Sequence, residues 1–132
     1  LEKQAIKSVV DEITDNQLKE LNDLLDRAEE LLAQGDYMET LMCNTRFHEV
    51  LTKACPNKRL VQFLEQARSL LLLYRANSLI FSEQNLEIFR EHREILKAVT
   101  ERNVEKAVVA IETHLLGDLR RGEKMFEHLE KS

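Results

Sequence analysis

Turn-forming residues are scarce in this chain: one proline and three glycines among 132 residues, with no tryptophan. Such scarcity excludes a turn-dense or low-complexity chain and fits long uninterrupted helices. No run of about 18 apolar residues occurs, so no segment is expected to span a membrane, and no signal peptide is read at the N-terminus. The only cysteines, Cys43 and Cys55, lie twelve apart. They form neither a CxxC motif nor a metal-ligand pair, and read as reduced thiols in a cytoplasmic protein. The net charge of −5 argues against a broad grip on phosphate backbone, although a local basic patch stays open.

What is present is amphipathic: 43% hydrophobic and 33% charged residues. The length suits one domain over residues 1–132, able to bury its own core. Apolar periodicity predicts an all-α fold, a single antiparallel bundle of about six helices. The first covers Glu2 to about Ile13. Thr14 or Asp15 caps the second, which runs to about Gln34, with Gly35 as its C′ residue. Asp36 caps the third, to about Ala54, with Glu39 placed as a capping-box acid. Pro56 ends it. Asn57 then caps a fourth helix from about Lys58 to Ile80, apolar over most of its circumference. That pattern points to a central position or a homodimer interface. Ser82 begins a fifth helix to about Glu101, and Asn103 caps a sixth that runs to the C-terminus.

Polar residues interrupt the apolar stripes. On the third helix Tyr37, Leu41, Asn44, His48 and Leu51 step by 4, 3, 4 and 3, one face of a helix. His92 occupies the stripe Leu86, Phe89, His92, Leu96 and Val99. His114 lies at the edge of the stripe that holds Ile111, Leu115 and Leu119. A buried polar group without a partner costs on the order of 1–3 kcal/mol. A lone core histidine is commonly satisfied by a carbonyl or hydroxyl, but three, with Asn44 one turn before His48, suggest a shared metal ion. Neutral imidazoles suit zinc, nickel, copper or iron. A di-iron site of Glu-x-x-His pairs fails, because Thr45, Phe89, Ile111 and Met125 precede the histidines by three.

Three blocks carry a family resemblance: GDYMETLMCNTRFHEVLTKACPN, EHREILKAV and NVEKAVVAIETHL. In this order they resemble the FCD domain, the C-terminal effector domain of FadR-type GntR transcription regulators. The resemblance implies a divalent metal, zinc or nickel, held by the residues at Asn44, His48, His92 and His114. It also implies a small carboxylate effector and a homodimer. DNA binding would belong to a winged helix-turn-helix domain upstream, and the start at Leu1 fits such a preceding segment. Many family members carry Asp where this chain has Asn44, so metal retention is expected to be weaker. Arg68 and Arg75, seven apart on the fourth helix, are the expected guanidinium partners of the effector. The rival reading is a metal-dependent enzyme acting on a small acid. Glu49, Glu91 and Glu112 neighbour the histidines in sequence but are expected to point away from them, which leaves the enzyme reading without a general base.

Overall fold

Each junction between helices is built by local chemistry. The computed structural model describes residues 3–56, 58, 59, 62 and 82–131, and side chains for residues 5–56, 58, 59, 62, 86–121 and 123. Helix α1 spans Lys3–Glu12 and α2 spans Asp15–Ala33. Between them Thr14 makes a full capping box. Its hydroxyl accepts the Gln17 N–H at 3.1 Å, and Gln17 Oε1 accepts the Thr14 N–H at 2.9 Å. Two orphan amides are thereby satisfied at once.

Gly35 closes α2 with φ of 77°. The Asp36 N–H reaches Leu31 O at 2.9 Å and the Gly35 N–H reaches Leu32 O at 3.1 Å, a Schellman motif. Space is no constraint there, since a Cβ would meet nothing within 4 Å; the left-handed backbone is what selects glycine. Asp36 then accepts the Glu39 N–H at 3.2 Å and opens α3, Tyr37–Lys53.

Helices α4, Ser82–Thr100, and α5, Val104–Lys131, form the second hairpin. Their turn repeats the Schellman pattern: Asn103 N–H to Ala98 O and Arg102 N–H to Val99 O, both 3.0 Å. Here Arg102, not glycine, takes the left-handed position, with φ of 52°. That conformation costs roughly 1–2 kcal/mol for a residue with a Cβ. In return its guanidinium donates to Val10 O at 2.8 Å and Ile13 O at 3.0 Å, closing the carbonyl end of α1. Asn103 caps α5 through the Lys106 N–H at 3.1 Å.

The two hairpins pack through α2 on α4, and α1 lies on α5. Their shared core contains Ile6, Val10, Ile13, Leu21, Leu25, Phe47, Val50, Ile95, Val99, Ala107 and Ile111. Burying each large aliphatic or aromatic side chain contributes on the order of 1.5–3 kcal/mol. Charged pairs tie the helices outside this core: Arg46 to Glu20 at 2.9 Å and Arg93 to Asp26 at 2.6 Å.

The all-α bundle agrees with the expectation, with five helices among the described residues. The fourth expected helix, Lys58 to Ile80, its Asn57 cap, and Arg68 and Arg75 fall outside or almost wholly outside those residues. The expected faces hold in part. On α3 Leu41 and Asn44 of the expected stripe are buried, but the most deeply buried residues are Phe47 and Val50, and Tyr37, at one end of the stripe, is exposed. Leu86 and Leu119, expected inward, are 49% and 63% exposed. On α5 the inward positions past His114 belong instead to Gly117, Asp118 and Arg121.

Candidate metal centre

Three helices each deliver one imidazole to a common point. His48 follows Phe47 on α3, and burial of the Phe47 ring fixes where the helix face turns. That ring stacks on His92 of α4, with centroids 4.7 Å apart and planes 17° from parallel. His114 of α5 stacks on His48 at 5.1 Å and 15°. His92 meets both partners edge-on, at 78° and 70°. The packing leaves His92 and His114 buried and His48 half-buried.

The Nε2 atoms form a nearly equilateral triangle. His48 to His92 is 3.1 Å, His92 to His114 is 3.3 Å, and His114 to His48 is 3.3 Å. Each neutral ring nitrogen is either a donor or an acceptor. Three mutually adjacent nitrogens therefore always leave at least one like pair face to face, whichever tautomers are chosen. A cation removes this conflict, because all three can then present lone pairs to it. The spacing fits as well: nitrogens bonded at about 2.0–2.1 Å to a tetrahedral metal stand about 3.3–3.4 Å apart. A set of imidazole donors is one that transition metals accept.

One tautomer is set by the surroundings. Glu91 Oε1 lies 2.7 Å from His114 Nδ1. Burial raises the Glu91 carboxyl, but hydrogen bonds from His114 and Arg121 outweigh it and hold the group below its ordinary value. An ionised carboxylate can only accept, so His114 Nδ1 carries the proton and its Nε2 is bare in the neutral ring. This is the carboxylate–histidine arrangement that orients metal ligands.

Arg121 holds Glu91 with both prongs, Nη1 to Oε2 at 3.0 Å and Nη2 to Oε1 at 2.8 Å. Nη2 also donates to Asp118 Oδ1 at 2.7 Å, and Nη1 to Glu87 Oε1 at 3.2 Å. Burial alone would lower the Arg121 pKa; its bonds to Glu91 and Asp118 reverse that and raise it. Arg120 pairs with Glu87 at the outer edge. Gly117 makes room for this group. A Cβ there would stand 2.7 Å from Glu91 Oε2 and 2.9 Å from Arg121 Nη1.

The structure thus brings His48, His92 and His114 together and buries Asn44 one turn before His48 on α3. The expectation that Glu91 points away is corrected. Glu91 does lie about 100° around α4 from His92, but α5 carries His114 to it. Asp118 and Arg121 were missed altogether. The signal was present in the sequence as a polar continuation, His114, Asp118 and Arg121, of the spacing Ala107, Ile111 and His114.

Comparison with known proteins agrees with this architecture. The family profile described as the FCD domain matches residues 1–117. The chain is 29% identical over 119 residues to YdhC, an HTH-type transcriptional regulator of Bacillus subtilis (strain 168), covering 89% of this chain and 53% of that protein. The fold is similar to the solved structure of Streptococcus agalactiae GntR, with a TM-score of 0.67 and 28% identity over 91% of this chain and 53% of that one. The chain spans about half the length of these two relatives.

Proposed function

Since the chain belongs to the FCD domain family, we propose that it is the effector-sensing half of a GntR-type transcription regulator. In this reading His48, His92 and His114 hold a divalent metal, zinc or nickel, with Asn44 as a neutral oxygen donor beside them. The bound cation would supply a Lewis-acid point for a small carboxylate effector. Arg68 or Arg75 would add a guanidinium to the effector's other end. The regulator would act as a homodimer in the cytoplasm and touch DNA only through an attached helix-turn-helix domain. Its family and relatives are transcription regulators, not enzymes, so the rival enzymatic reading is set aside. Among the described residues no helix is long and apolar enough to cross a membrane.

The observation that carries the proposal is the triangle of Nε2 atoms, 3.1–3.3 Å on each edge and drawn from three separate helices. This chain's own groups do the arranging. Phe47 fixes the His92 plane, and Glu91 fixes the His114 tautomer. An effector can shift a regulator only if it binds one arrangement of the helices more tightly than another. Ligands drawn from three helices support that reading, because any relative movement of α3, α4 and α5 would alter the triangle.

Metal analysis of protein purified without chelator, followed by thermal melting with zinc or nickel and with small organic acids, tests the reading. A site held at a hundred times its dissociation constant stabilises the fold by about 2.7 kcal/mol, which raises the melting temperature measurably. His48→Ala and His92→Ala should abolish that rise. An unchanged rise in both variants would discard the site.

A further inference from the structure

We propose that Arg121 is a positioning residue of the metal centre, which fixes the ring of His114 in the triangle by holding Glu91 from its far side. The inference rests on the metal-binding reading above and adds the group on which one of the three ligands depends.

The first observation is a shared oxygen. Glu91 Oε1 stands 2.7 Å from His114 Nδ1 and 2.8 Å from Arg121 Nη2. The second prong, Nη1, reaches Oε2 at 3.0 Å. A carboxylate held at one point can turn about its last bond, and the oxygen that faces the imidazole then moves. Two parallel bonds to a planar guanidinium remove that freedom. The place of Oε1 beside Nδ1 is thus set by Arg121, and the direction of Nε2 follows from it.

The second is how Arg121 is itself held. Nη2 also donates to Asp118 Oδ1 at 2.7 Å, and Nη1 to Glu87 Oε1 at 3.2 Å. Asp118 comes from α5 and Glu87 from α4, so both helices of the hairpin clamp the guanidinium. Its side chain is 5% exposed, against 59% for the neighbouring Arg120.

The third is fit. A Cβ at Gly117 would stand 2.7 Å from Glu91 Oε2 and 2.9 Å from Arg121 Nη1. The pair is therefore seated against the backbone of α5, in space that any side chain at position 117 would claim. Lysine cannot replace this arrangement, since an ammonium is a point charge without a planar fork.

The test measures zinc affinity, by competition with a chromophoric chelator, in the wild-type chain, R121K, R121M, E91A, E91A/R121M and R120M. Wild type should bind. R121K and R121M should each bind about tenfold more weakly, at the low end of what outer partners of metal ligands command. R120M, which alters only the exposed neighbour, should stay within twofold of wild type. E91A/R121M should bind as E91A does, because Arg121 acts through Glu91 and the two losses do not add. A merely stabilising role would lower the melting temperature of metal-free protein without producing this pattern. The role of Arg121 is overturned, with the histidine site left standing, by R121K within twofold of wild type or by an equal loss in R120M. A further loss in E91A/R121M beyond that of E91A overturns it as well. Failure of the wild type to bind zinc overturns both readings. Should circular dichroism show the Arg121 variants unfolded, the crystal structure of the wild-type zinc complex decides. His114 bound through Nε2, with Glu91 still bridging its Nδ1 and Arg121, supports the assignment, and a Glu91 turned away from either overturns it.

Discussion

Glu91 Oε1 and His114 Nδ1 lie 2.7 Å apart across the α4–α5 interface, joining the ion pair of Glu91 and Arg121 to one buried imidazole of the triangle. Truncating the acid should therefore weaken metal binding without touching a ligand. Glu91→Ala is expected to lower zinc affinity by about 10–100-fold, measured by chelator competition. An affinity within twofold of wild type would show that the Nδ1 contact does not orient the ring.

The same carboxylate makes stability depend on pH in metal-free protein. Its folded pKa is lowered from an ordinary 4.5, so the unfolded chain takes up its proton first as pH falls. The contribution is fully present above about 4.5 and is lost as pH drops through the folded value. Urea unfolding across that window should show wild type losing stability more steeply than Glu91→Gln. Parallel curves for the two proteins would contradict this.

Gly117→Ala sets two effects against each other. Alanine favours a helix interior by up to about 1 kcal/mol. A methyl group 2.7 Å from Glu91 Oε2 and 2.9 Å from Arg121 Nη1 forces overpacking, which costs about 1–3 kcal/mol. The expected result is a net loss of roughly 1 kcal/mol in urea denaturation. In a Glu91→Ala/Arg121→Ala background the sign should reverse, since the obstruction is gone.

Arg102 offers an unusual ranking of substitutions. Either truncation removes the bonds to Val10 O and Ile13 O, a loss of about 1–2 kcal/mol once the side chain's partial exposure is allowed for. Alanine keeps the strained φ of 52°, while glycine relieves roughly 1 kcal/mol of it. Stability should fall in the order arginine, glycine, alanine. Glycine below alanine would mean that the backbone at this turn relaxes.

Much of this was legible before any coordinates. Thr14, Gly35, Asp36 and Asn103 announce their helix ends because capping and left-handed turns depend on neighbours in sequence. The histidines could be gathered because each interrupts an apolar stripe. The ion-pair layer could not be reached by the same rule. An apolar-inward reading of α5 placed Leu119 in the core, yet it is 63% exposed. The buried face continues through Asp118 and Arg121, whose partner Glu91 stands about thirty residues away on another helix. Periodicity assigns a face to each helix separately, and the pairing of Glu91 with His114 exists only between two helices.

The missing methyl at Gly117 ties three codons together. A guanidinium and a carboxylate meet in the volume it vacates, so a larger residue there is accommodated without cost only after the charged couple has gone. The couple in turn loses its seat once the void is filled. A change at any one of positions 91, 117 and 121 therefore alters what the other two can accommodate.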